Sequence, residues 1–145
     1  MDGNPLPTRG ERLNNPGNID RTAAAWRGMA DDQSGDARFV VFSTPEHGIR
    51  ALCKVLMTYY RRHGLNTVRT IINRWAPPGE NDSVAYIDHV ARILGVSYDD
   101  PIQVDDADTL ELLARAIIQH ENGRVIYEKA VIVAGVDMAL GRFRS

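Results

Sequence analysis

The sequence predicts a mostly helical α+β domain of about five helices with one small β-hairpin at its side. Three observations carry that expectation. From Ser43 onward, apolar residues recur at spacings of three and four. Before Ser43, one short run, RFVVF at 38–42, has the β-branched, turn-flanked character of a strand. Residues 1–22 are rich in Pro, Gly, Asn and Arg and have no period, as irregular chain with turns does.

Taken in order, AAAWRG at 23–28 is the expected hairpin partner of RFVVF, with the polar connector DDQSGDA between them. STPE then offers a capping box, Ser43 accepting and Glu46 reaching back, with Pro45 in the first turn where its missing N–H costs little. Ile49, Leu52, Cys53, Leu56, Met57 and Tyr60 lay one apolar stripe along a central helix that ends near Gly64. Asn66 or Thr67 caps a second helix carrying Val68, Ile71, Ile72 and Trp75, which Pro77 and Pro78 terminate. Asn81 or Asp82 caps a third, with Val84, Ile87, Val90, Ala91 and Leu94 turned inward and Gly95 at its end. After an acidic loop at 99–108, a fourth helix runs from about Thr109 through Leu110, Leu113, Ala116 and Ile117 to His120, and residues 128–140 form a weaker fifth.

Composition narrows the function classes. A chain of 145 residues with 43% hydrophobic and 25% charged residues is expected to form one domain over 1–145, its first eight residues flexible or irregular. The net charge is −2 and the seventeen basic residues are spread from Arg9 to Arg144, so no concentrated cationic face and no nucleic-acid partner are expected. Cys53, the single cysteine, falls in an apolar stripe and reads as a small hydrophobe. The start of the sequence has no apolar leader, and no stretch approaches the roughly 18 apolar residues of a membrane span. The four histidines make no HExxH or CxxC arrangement, and neither a metal nor any other cofactor is expected.

The fourth helix ends in AIIQHENG, which places His120, Glu121 and Asn122 at its last turn. A carboxylate there faces the negative end of the helix dipole, and burial beside Ile117 and Ile118 adds a desolvation penalty. Both favour the protonated form, and a carboxylic acid that keeps its proton near neutral pH can protonate the leaving oxygen of a glycoside. The plainer alternative is a solvated residue at a frayed helix end. Glu11 is the rival acid, three residues before the Asn-rich turn. Arg9 and Arg12 flank it, so it suits a stabilising role better than proton donation.

RGERLNNPGNI, followed by AAAWRGMADDQ, RFVVFSTPEHGIRAL and WAPPGENDSVAYIDHV, resembles the phage virion-associated and endolysin-type peptidoglycan hydrolases that carry an NNPGNI motif. The resemblance runs from about residue 9 to residue 140. More remotely the chain is similar to bacterial glucosaminidases and lytic transglycosylases of the lysozyme-like superfamily. There an acid closing a helix precedes the NN turn, and W-x-G, an aromatic strand, a helix opening with Ser and a tyrosine follow. Asn14, Asn15, Trp26, Gly28, Phe39 to Phe42, Ser43 and Tyr86 match these parts. The acid departs from that order, since no apolar helix precedes Asn14. A circular permutation, with Glu121 delivered from the far end of the chain, accommodates the difference.

The resemblance implies a lysozyme-like domain that cuts peptidoglycan glycan strands between N-acetylmuramic acid and N-acetylglucosamine, with Glu121 as general acid. Asn15 and Asn18 would bind the glycan or only shape the turn. Tyr86 would aim its hydroxyl at the scissile region or only pack. Trp26 and Trp75 would stack on sugars or fill the core, and Gln33 and His120 are weaker candidates. Asp20, Asp31 or Asp32 would supply a second carboxylate, at roughly 6.5–9.5 Å for inversion and about 5–5.5 Å for retention. With no second acid, the substrate's own groups complete a transglycosylase reaction. The resemblance also implies a phage virion component acting in the periplasm, among other virion proteins, or an endolysin that waits in the host cytoplasm for a holin. The rival from another class is a non-catalytic tail or head-completion protein that retains the fold.

Overall fold

A computed structural model of the chain describes residues 6–79 and 82–142. Among these residues there are six helices: α1 (Arg9–Arg12), α2 (Pro45–His63), α3 (Val68–Trp75), α4 (Ser83–Leu94), α5 (Ala107–Asn122) and α6 (Lys129–Leu140). The described residues contain no strand; isolated bridges pair Asp20 with Phe39 and Met29 with Phe42. The fold is therefore all-helical, and the expected α+β class with its hairpin is incorrect.

The physical reason lies in how residues 38–42 satisfy their backbone. The run takes its partners from several places instead of one facing strand. Arg21 N–H donates to Arg38 O at 2.8 Å, Val40 N–H to Ile19 O at 3.0 Å, and Phe42 N–H to Leu13 O at 2.9 Å. Side chains supply much of the rest: Asp36 Oδ1 accepts from Arg38 N–H and Phe39 N–H, Arg21 Nη1 donates to Phe39 O, and two amides serve Val40 and Val41. Gln33 Oε1 accepts from Val41 N–H at 2.9 Å while its Nε2 donates to Val41 O and Ala30 O, both at 2.7 Å. Asn15 Nδ2 donates to Val40 O at 2.9 Å. Backbone groups met by amides cannot extend a ladder.

The helix ends follow capping chemistry. Thr8 and Glu11 form a capping box around α1, a turn that lies within the stretch expected to be irregular. The cap of α2 is Thr44, one residue after the expected Ser43; its hydroxyl accepts from His47 N–H, and Ser43 instead donates to Gly28 O. Thr67 caps α3 and Asp82 caps α4, whereas the alternative cap Asn81 lies outside the described residues. Asp106 caps α5, which starts two residues before the expected Thr109. Gly64, Gly95 and Gly123 close their helices in the left-handed conformation.

The main core joins the α2 stripe of Ile49, Leu52, Cys53 and Leu56 to Leu113 and Ile117 of α5 and Ile132 and Val136 of α6. Each such aliphatic side chain contributes about 1.5–3 kcal/mol by leaving water. Burial also pushes the Cys53 thiol up to about 12, so it packs as a hydrophobe. The periodicity of α6 is weak because the helix is apolar nearly all round, as a buried helix is. Its Gly135 meets Ile49 so closely that an added Cβ would lie 2.5 Å from the Ile49 Cβ. Val84, expected inward on α4, is 80% exposed. A smaller cluster of Val40, Phe42 and Ala51, with Ile19, Trp26 and Met29 against it, fastens the irregular N-terminal region to α2.

Candidate active site

The Asn-rich turn is built by three asparagines with different tasks. Asn14 and Asn18 have φ of 53° and 51°, a left-handed conformation that Asn tolerates better than other non-glycine residues. Asn15 is fully buried. Its Oδ1 accepts from Ile19 N–H at 2.9 Å and its Nδ2 donates to Ile19 O and Val40 O, so its amide is used inside the protein. Gly17 lies on the Trp75 indole, where an added Cβ would come within 3.1 Å of the ring.

The end of α5 is tied to this turn by Asn122. Asn122 Nδ2 donates to Pro16 O and Ile118 O, both at 2.9 Å, and its Oδ1 accepts from the Thr8 hydroxyl at 2.7 Å. These bonds fix the last turn of α5 and with it the neighbouring Glu121. One Glu121 oxygen accepts from Asn18 Nδ2 at 3.2 Å and the other from the Tyr86 hydroxyl at 3.1 Å. Three segments distant in sequence thus converge on one carboxyl group.

Burial pushes the Glu121 carboxyl above its ordinary value, while the bonds from Asn18 and Tyr86 pull it back. Tyr86 is fully buried, and burial followed by the Glu121 charge raises its phenol far above the ordinary value, so it keeps its proton. The exposed His120 ring stacks on Tyr86 at 3.6 Å between centroids, with His89 edge-on to His120 at 5.8 Å. Partial desolvation of the ring on the side that stacks on Tyr86, and then the charge of His89, hold His120 below its ordinary value, against the charge of Asp82.

Glu121 and Asn18 line a cleft of about 790 Å³ whose walls also include Asp20, Arg38, Trp75 and Tyr59. The other candidates lie elsewhere. Glu11 caps α1 and accepts from Arg124 Nη2 at 2.9 Å; it is not among the cleft residues. Trp26 packs in the smaller apolar cluster, and Gln33 bridges backbone groups. Of the three aspartates, Asp20 alone lines the cleft, with Arg38 Nε at 2.6 Å from its Oδ1. Asp31 and Asp32 are exposed, and Asp32 accepts from Ser34 N–H.

The task of Asn122 is not visible in the sequence. Asn122 follows Glu121 in AIIQHENG, and nothing local to that run shows that it joins α5 to the turn. Trp75, a candidate for sugar stacking or for the core, is half-buried: it packs against the main core and forms a cleft wall. Its place after Ile71 and Ile72 in a helical stripe hides that position. Among the described residues no group of three or more His, Cys, Asp or Glu is arranged to hold a metal, and no helix is long and apolar enough to cross a membrane.

No family model matches the chain. Protein P5 of Pseudoalteromonas phage PM2 is 37% identical to it over 132 residues, which cover 89% of this chain and 80% of that protein. The chain therefore belongs to the family of Protein P5 of Pseudoalteromonas phage PM2 and is a phage-associated protein.

Proposed function

We propose that this protein cleaves peptidoglycan glycan strands between N-acetylmuramic acid and N-acetylglucosamine, with Glu121 as general acid. The observation that carries the reading is the Glu121 carboxyl itself: it lines a cleft, burial favours its protonated form, and it is positioned by Asn18 and Tyr86. The meeting of the α5 end with the Asn-rich turn supports a permuted lysozyme-like arrangement. It is the encounter such a permutation requires.

The reaction we favour is that of a lytic transglycosylase. Glu121 gives its proton to the glycosidic oxygen as the C1–O bond of the muramoyl residue breaks and oxocarbenium character develops. The 6-hydroxyl of the same muramoyl residue then attacks C1, and its proton returns to the Glu121 carboxylate. The product is an anhydro-muramoyl end, no water is consumed, and one carboxyl serves as acid and then as base. Asp20, the other cleft carboxylate, is occupied by Arg38, which makes it a poor base for activating water. Asn18 suits both states of Glu121: its Nδ2 donates to the carboxylate, and its Oδ1, buried without a hydrogen-bond partner, would accept from the protonated form after a half-turn of the amide. Membership in a phage protein family supports a virion component that acts on the wall in the periplasm.

A zymogram on purified peptidoglycan tests the reading. Clearing by the wild type and not by Glu121→Gln is expected. Equal clearing by both would remove Glu121 from the chemistry. No clearing by either across a range of pH would favour a structural phage protein.

A further inference from the structure

The cleft that holds Glu121 also carries two guanidinium groups, Arg38 and Arg74, and they are differently employed. Arg38 is paired with Asp20 at 2.6 Å. Arg74 lies with its guanidinium 5.6 Å from the centre of the Tyr59 ring, and among the described residues no carboxylate pairs with it. A guanidinium over an aromatic ring keeps its in-plane N–H fork available, and that fork matches a carboxylate. With Asp20 paired to Arg38, the Arg74 guanidinium is left as a cation lining the same cleft as Glu121.

The geometry points to Arg74 as the subsite for a carboxylate carried by the lactyl arm of a muramoyl residue, so that the cleft selects muramoyl-containing strands over uncharged glycans. This rests on the glycan-cleaving reading of the same cleft. A polymer of N-acetylglucosamine alone offers hydroxyl and acetamido groups, which Asn18, Trp75 and Tyr59 can meet by hydrogen bonding and stacking. It offers no anion for Arg74. The muramoyl residue does, from either of two sources: a carboxylate of the stem peptide attached to its lactyl group, or the lactyl carboxylate itself once that peptide is removed.

Binding separates these outcomes without depending on turnover. Glu121→Gln and Glu121→Gln/Arg74→Ala, with Arg74→Lys in the same background, are titrated briefly in the cold against three probes. These are glycan strands bearing stem peptides, the same strands stripped by an amidase, and chitin oligomers of equal length. Loss of Arg74 is expected to weaken binding to muramoyl strands by roughly three- to tenfold, with Lys intermediate and chitin unchanged. A loss confined to peptide-bearing strands assigns the anion to the peptide, and a loss confined to stripped strands assigns it to the lactyl group. Unchanged binding to both muramoyl strands, an equal loss on chitin, or no binding of any probe by the Arg74-containing protein would overturn the subsite. Arg74-dependent binding by a wild type that cleaves nothing would instead sink the cleavage reading and leave the subsite standing.

Discussion

A buried carboxyl group must be paid for in one protonation state or the other, and Glu121 shows which. Its raised value means that the fold favours the protonated form. The stability it permits is complete below the ordinary carboxyl range and is lost as pH rises through the raised value. Glu121→Gln does not titrate, so its melting temperature should exceed that of the wild type at neutral to mildly alkaline pH. The gap should close on acidification, and thermal melts across pH check this. Activity should fall by roughly 10²–10⁴-fold in the same variant. Tyr86→Phe removes a donor that favours the carboxylate, so the Glu121 value should rise further. Because the acid must hold its proton, the descending limb of the pH–rate profile should then move to higher pH. An unmoved limb in Tyr86→Phe would mean that Tyr86 does not tune the acid.

Among the elements, the long helices were legible because their signals are local. Apolar spacing marks α2 to α5, and Thr67, Asp82, Asp106 and the closing glycines supply starts and stops that a short window contains. The short α1 was legible in principle, since Thr8-Arg-Gly-Glu11 is a capping-box pattern; that pattern also gives Glu11 a structural task before any catalytic one. The hairpin failed for a non-local reason. The backbone of RFVVF is bonded in large part by the side chains of Asn15, Gln33 and Asp36, and no propensity reveals that a distant side chain will take a strand's place. The candidate site divided along the same line. Glu121 is conspicuous at a helix end, whereas its partners Asn18 and Tyr86 join it only through the fold, and Asn15, beside Asn18 in the motif, is turned inward. Asn122→Ala should destabilise the protein by about 1–3 kcal/mol by leaving Pro16 O and the Thr8 hydroxyl without their partner. Gly135→Ala should cost about 1–3 kcal/mol through overpacking on Ile49. Chemical denaturation measures both.

For the whole molecule, the helical core and the irregular N-terminal region divide the work. The core buries one face of α5, and the irregular region adds residues 17–20, Arg38 and Phe39 to the cleft lining. Charge is less evenly spread than the chain's composition suggests. Burial and the charges of Arg50, Arg61 and Arg27 all hold the Lys54 ammonium below its ordinary value, so cations do gather along one side of α2 despite the net charge of −2. The cleft lies against a different side of that helix, through Val55 and Tyr59. Membership in the family of Protein P5 of phage PM2 fixes the phage association, and the proposed chemistry rests on Glu121. The most direct test is mass spectrometry of the fragments released from purified peptidoglycan by the wild type and by Glu121→Gln. Anhydro-muramoyl ends from the wild type and none from the variant are the predicted result. Equal release by the two proteins, or no glycan fragments from either, would contradict it.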